Sequence, residues 1–337
     1  MLDLRHGPLL FLLRNSSVVL LALVFLVFST ASSGFLEAEN IVNILLNSSS
    51  VAIVAIGMTF VLLVGGIDLS VGSVMFLAAV IAGKLTLSGT PVAAAVFLII
   101  LVGLVCGAVN ALLIVRFRIM AFIVTLSTLY LERGLGLYLS QTRAMNLPDE
   151  FLRIGSSSFL GIPFPILVLA AVLGVAHFVL TRTPFGRHLY AVGNDPEGAR
   201  KAGLRGDRVI VAVYLTSGLC AALAGIVSVA QLGAVSPTFG KDREFAAISA
   251  AVLGGTSLFG GRGSVFPGTI LGAILVQTVD AGLNSINADP YVYPLVLGAI
   301  IFLTVLVDGF RHRQMEKLGR RPIRPVEPAR KGAAAQS

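Results

Sequence analysis

Charged residues are scarce in this chain, 12% of its 337 residues, about half the ~25% that a soluble domain carries to solvate its surface. Most of the molecular surface must therefore meet something other than water. Histidine occurs four times, at His6, His177, His188 and His312, with no spacing that would hold a metal. Cysteine occurs twice, as Cys106 and Cys220, each inside an apolar run. Both read as small buried hydrophobes, and no disulfide framework, redox pair or metal site is expected. The phosphate loop GxxxxGK[ST], HExxH and GxSxG are all missing, so ATP hydrolysis on this chain is not expected and an enzyme reading has little to stand on. The expectation is a non-catalytic chain with no cofactor and no metal of its own.

Apolar residues dominate what is present: 56% of the chain, with a mean hydropathy of +0.91. A helix needs roughly 20 apolar residues to cross the hydrocarbon of a bilayer. Open sheets are excluded there because unpaired backbone groups find no water. Barrel strands would alternate apolar and polar residues, whereas runs such as 92–115 and 209–232 are nearly continuous. An all-α polytopic membrane protein of about ten transmembrane helices is expected, with spans near 17–36, 42–65, 71–89, 92–115, 120–140, 163–181, 209–232, 245–259, 264–283 and 291–308. Glycines interrupt the second, third, eighth and ninth of these; the chain has 36, and small residues let membrane helices approach closely.

Basic residues orient the spans. With the N-terminus inside, nineteen of the 25 Lys and Arg fall in inner segments and four in outer loops, a strong positive-inside bias that places both termini in the cytoplasm. Arg5 and Arg14 ahead of the apolar run 18–28 resemble an export signal, but an uncleaved first span suits the orientation count. Residues 1–310 read as one transmembrane domain with a cytoplasmic loop at 182–208, and 311–337 as a basic, disordered cytoplasmic tail. The net charge of +8 suits anionic inner-leaflet lipid and calls for no nucleic acid.

Charges within spans mark ion pathways in gradient-driven carriers. Glu132 and Arg133 are expected to reach toward the interface, Lys84 to snorkel outward and Asp280 to lie near an outer end. Asp68 alone is expected to be deep. Three glycine-rich segments stand out. In residues 65–73, Gly-Gly-Ile-Asp-Leu-Ser-Val-Gly-Ser, two glycines end one helix and Asp68 or Ser70 caps the next. Such a start is either a tight cytoplasmic turn or a helix end inside the membrane offering its amides to a polar ligand, which would put Asp68, Ser70 and Ser73 near a substrate path. In residues 193–204, Asp195 as N-cap, Pro196 at the first helical position, Glu197 in the first turn and Gly203 as stop predict a helix of about two turns. It is either a solvated loop helix or one that docks on a cytoplasmic partner. Residues 251–265 hold five glycines in fifteen positions and echo the first segment, each having a Gly-Gly pair followed by Gly-Ser-Val. They form either a packed hairpin or a second interrupted helix at a substrate site, which brings in Gly254 and Gly255.

Taken together, the GGIDLSVGS stretch, FGRHLYAVGNDPEGARKAGL (185–204) and AVLGGTSLFGGRGSVFPGT (251–269) resemble the permease subunits of ribose/xylose/galactose-type bacterial ABC sugar importers, over roughly residues 15–310. The resemblance implies the ABC importer permease fold in the bacterial inner membrane, carrying a monosaccharide from periplasm to cytoplasm. It also implies a cytoplasmic helix at 194–204 that couples to an ATPase subunit, and so a role there for Asn194, Asp195, Glu197, Arg200 and Gly203. The implied partners are that ATPase, which would hold ATP and Mg²⁺, a second permease copy, identical or paralogous, and a periplasmic sugar-binding protein. Branched-chain amino acid or nucleoside permeases of the same superfamily are the near alternative, and a gradient-driven secondary transporter centred on Asp68 the distant one.

Overall fold

The computed structural model describes residues 16–289 and 291–319. Among them, each of the ten apolar runs forms a helix. The first five are α1 (Ser16–Ala31), α2 (Ala38–Leu63), α3 (Val71–Leu87), α4 (Val92–Phe117) and α5 (Ala121–Ser140). A connecting segment follows, with β1 (Met145–Asn146), the short α6 (Asp149–Gly155) and the hairpin of β2 (Ser158–Phe159) and β3 (Ile162–Pro163). Then come α7 (Phe164–Arg182), the short α8 (Pro184–Asn194) and α9 (Pro196–Lys201), α10 (Gly206–Leu232), β4 (Ala234–Val235) and α11 (Arg243–Leu253). A kinked turn, Val265–Thr269, leads into α12 (Ile270–Ser285), and α13 (Val292–Gly319) follows. α2, α4, α7, α10 and the unit Val265–Ser285 are long and apolar enough to cross a membrane, with shorter apolar helices at Ser17–Ala31, Val71–Leu87 and Val292–Leu303. Arg5, Arg14 and residues 320–337 lie outside the described residues; α13 carries helix into the segment read as tail.

α2 and α10 form the centre. α2 is buried on every side from Ser48 to Leu63, so its apolar residues cannot form a single stripe and the helix reads as hydrophobic all round. Its contact with α10 is set by Gly57, where a Cβ would come within 2.8 Å of Cys220 Cβ. α10 meets α4 equally closely: added carbons at Gly103 and Gly107 would lie 2.5 Å from the carbonyls of Gly218 and Tyr214. Backbones that touch this way gain dispersion and weak C–H···O contacts that larger side chains would prevent. α12 packs on α1, α2 and α11, and β1 pairs antiparallel with β4 at the end of the bundle opposite α9.

The eighth expected span, 245–259, is corrected by the structure. α11 stops at Leu253 and is about 16 Å long at 1.5 Å per residue, against a hydrocarbon layer of about 30 Å. The reason is local: Gly255 sits at φ +92°, and Thr256 N donates to Ala251 O and Gly255 N to Val252 O, the glycine termination that closes a helix. α2 ends the same way, with Gly65 at φ +73° and Gly66 N donating to Val61 O. The sequence echo thus becomes a structural one, since each Gly-Gly pair stops a helix and each Gly-Ser-Val opens the next. α3 is short for a related reason. Residues 64–70 are non-helical and carry the chain back into the bundle before α3 begins, and there Gly72 packs backbone to backbone against Gly240, just ahead of α11.

Candidate functional site

The segment 182–208 folds as two helices, where one had been expected. α8 begins at Thr183, whose Oγ1 accepts from Gly186 N, with Pro184 at its first position. It buries Leu189 and Val192. α9 follows at once and is shorter than two turns. Asp195 Oδ1 accepts from Gly198 N at 2.9 Å, Gly203 at φ +82° ends the helix, and Leu204 N closes on Ala199 O. Ala199 points inward, while Asn194, Asp195, Glu197, Arg200 and Gly203 are all exposed. Glu197 pairs with Lys201 at 3.0 Å across one turn. α9 is therefore a capped, charged knob at one end of the bundle.

Its base is a cradle built from glycines. A Cβ on Gly193 would overlap the Leu63 carbonyl at the end of α2; one on Gly260 would lie 2.7 Å from Gly193 O and 3.1 Å from Gly65 N; one on Gly261 would lie 2.8 Å from Asn194 Cα. Gly261 N donates to Leu63 O at 2.9 Å, and Tyr190 OH donates to Gly263 O at 2.8 Å. Burial pushes the Tyr190 phenol above its ordinary range, so it stays protonated as that bond requires. The three glycine-rich segments, separate in sequence, thus meet at one place through backbone contact.

Asp68 lies elsewhere, fully enclosed. Its Oδ1 accepts from Ser70 N at 3.0 Å and Ser70 Oγ at 2.6 Å, and its Oδ2 accepts from Ser217 Oγ at 2.7 Å. Asn110 Nδ2 donates to Ser70 Oγ, and Thr128 Oγ1 donates to Asn110 Oδ1. Ser73 Oγ lies 2.7 Å from Glu132 Oε2 and 2.6 Å from Ser70 O. Just ahead of α3, the Asp68 carboxylate bonds the amide and hydroxyl of Ser70, while no side chain caps the first turn of the helix itself. Asp68 is 1% exposed, and Ser70 and Ser73 are buried beside it. Gly254 packs against Gly268 and Gly255 is exposed, in contacts separate from those of Asp68.

A family described as the branched-chain amino acid transport system permease component matches residues 40–305. The chain belongs to this family of permeases. Relatives of this permease include the ribose import permease protein RbsC of Haemophilus influenzae, 35% identical over 89% of this chain and 94% of that protein. The D-allose transport system permease protein AlsC of Escherichia coli is 35% identical over 88% and 91% of the two chains. The fructose import permease protein FrcC of Rhizobium meliloti is 35% identical over 87% and 86%. No solved structure matches the permease.

Two further residues of the permease take places that their sequence positions did not suggest. Glu132 and Arg133 are expected to reach toward the interface; Glu132 instead turns into the bundle, whereas Arg133 is half-buried against the segment between β4 and α11. Glu132 is 8% exposed and hydrogen-bonded within the Asp68 network. Arg133 lies 4.7 Å over the Phe76 ring and donates to Phe239 O at 2.7 Å. Glu132 is buried despite its place near the end of a span because α5 packs against an α3 that itself starts inside the bundle. α8 was missed although its signals are present: the Thr-Pro start, and Phe185, Leu189 and Val192 at spacings of four and three.

Proposed function

We propose that this permease is the membrane-spanning, non-catalytic subunit of an ATP-driven importer that moves a monosaccharide inward across the bacterial inner membrane. In this reading the long apolar helices span the bilayer while α11, too short to cross it, enters without spanning; both termini are cytoplasmic, and ATP and Mg²⁺ act on a partner ATPase. A second permease copy and a periplasmic sugar-binding protein complete the assembly. The observation that carries it is the exposed α9 knob seated on the glycine cradle, in a chain whose sugar-import relatives align over nearly their whole lengths. Movement of a partner against Glu197 and Arg200 would pass through Gly193 and Asn194 to Leu63 and Gly261, and so to the ends of α2 and the α11–α12 turn. Those contacts are between backbones, which cannot rotate away as a side chain would, so the displacement is transmitted stiffly. ATP binding below then shifts the populations of two pore states.

The test is affinity purification of the tagged chain from native membranes in mild detergent, followed by reconstitution. Co-purification of an ATPase carrying phosphate loops, with uptake abolished when its phosphate-loop lysine is replaced, is the expected result. Transport in liposomes by this chain alone, driven by an ion gradient, would overturn the reading. A branched-chain amino acid as substrate is the second reading, favoured by the family's description; competition of labelled sugar uptake by leucine separates the two.

A further inference from the structure

Polar side chains on membrane helices are costly when they face lipid, so they turn toward the bundle or toward water. α2 carries Asn40, Asn43, Asn47 and Ser50 at spacings of three and four, all on one helix face, and α12 carries Gln277, Asp280 and Asn284 in the same rhythm. The structure sets Asn43 and Asn47 toward Gln277 and Asp280, while Asn40 donates to Phe35 O and Ser50 bonds Ser228 of α10. Between α2 and α12 lies a cavity of about 330 Å³ lined by Asn43, Asn47, Gln277 and Asp280 among others. A neighbouring cavity of about 360 Å³ shares Asn47, Gln277 and Asp280 in its lining and adds Arg243 and Tyr293. Volumes of this order are typical of small-molecule sites, which run from about 300 to 1,000 Å³. Among the described residues, the amides of Asn43 and Asn47 have no partner, and both are exposed to the groove. Gln277 Nε2 donates to Asp280 Oδ2 at 2.9 Å, leaving its carbonyl free. Asp242, exposed in the lining of the second cavity, is held at φ +62°, a left-handed conformation that Asp adopts more readily than most residues. It sets the start of α11 and so the position of Arg243 beside it.

We propose that this groove is the part of the permeation path that holds a neutral, polyhydroxylated sugar, with Asn47, Gln277 and Asp280 exchanging hydrogen bonds with its hydroxyls and Arg243 lining the neighbouring cavity. The proposal rests on the importer reading. Amides offer both donors and acceptors, as a hydroxyl does, whereas an aliphatic amino-acid side chain would leave these groups unpaired. A row of side chains at 3–4 spacing also lets a ligand exchange one partner for the next, which favours passage over retention.

The experiment uses the complete transporter in proteoliposomes with its ATPase and sugar-binding protein. N47L and Q277L are expected to lower sugar import by about tenfold or more, the size of one lost polar partner. ATP hydrolysis stimulated by the binding protein should stay within about twofold, because the α9 cradle is untouched. Separately, N43C and N47C in a C106A/C220A background are expected to react with a membrane-impermeant methanethiosulfonate and to be protected by sugar-loaded binding protein. F97C, on the exposed face of α4, is the lipid-facing control and should not react. Import at the native rate by both leucine variants, or N47C as unreactive as F97C, would overturn the proposal, the second result showing a dry helix interface in its place. Protected labelling without any ATPase requirement would support the groove while retiring the importer reading.

Discussion

The carboxylate of Asp68 accepts bonds from a backbone amide and two hydroxyls, and all the donors are buried with it. Removing that acceptor strands the donors away from water, at about 1–3 kcal/mol for each. Asp68→Ala should therefore cost several kcal/mol, enough to unfold a marginally stable domain, and should reduce the yield of monodisperse protein in fluorescence-detected size exclusion. Asp68→Asn keeps one acceptor for Ser70, and the Ser217 hydroxyl can turn to accept from the new amide. It should fold, and should import sugar within about threefold of the native rate, a change of under 1 kcal/mol. Loss of import by well-folded Asp68→Asn would show that the charge itself acts in transport. The sequence offers Asp68 or Ser70 as a cap and expects Asp68 to be deep. In the structure Asp68 is deep and bonds the amide and hydroxyl of Ser70, but no side chain caps α3 itself. Its partner Ser217 could not be read because it is 149 residues away.

Helices were the legible level, since a continuous apolar run needs an internally satisfied backbone wherever lipid surrounds it. What stayed hidden were elements whose logic is amphipathic or tertiary. α8 lies in a segment too polar to register as a span, and the shortness of α11 depends on the helix-ending conformation at Gly255. The amide rows on α2 and α12 were present as spacing, but only their juxtaposition gives them meaning. α9 is the element on which coupling can be tested without disturbing the fold. Its Glu197–Lys201 pair is solvent-exposed, and such i,i+4 pairs stabilise a helix by about 0.3–0.5 kcal/mol. Charge reversal by Glu197→Arg with Arg200→Glu should therefore leave membrane insertion and helix content unchanged. Binding-protein-stimulated import should fall by about tenfold or more, as expected when opposed charges at an interface become like charges. Native import in that double variant would remove α9 from the coupling path.

Both inferences about this permease depend on which way round it sits. The glycine cradle and α9 occupy one end of the bundle; the β1–β4 pair and the α6 segment occupy the other, and the amide groove opens beside Asn40 and Asn284. The end with α9 holds Arg116, Arg118 and the six basic residues of 182–208, whereas the opposite connecting segment between α5 and α7 holds only Arg143 and Arg153. Basic residues in short loops resist translocation, so the α9 end should be cytoplasmic and the groove should open outward. Single cysteines placed at Leu160 and Ala202, both exposed, decide the matter in a background lacking Cys106 and Cys220. In intact spheroplasts an impermeant maleimide should label Leu160→Cys and not Ala202→Cys; in inverted vesicles the pattern should reverse. Labelling of Ala202→Cys in intact cells would place α9 outside, where no cytoplasmic ATPase could reach it. That result would refute coupling through α9 and an outward-opening groove together, because the same rigid bundle fixes both ends.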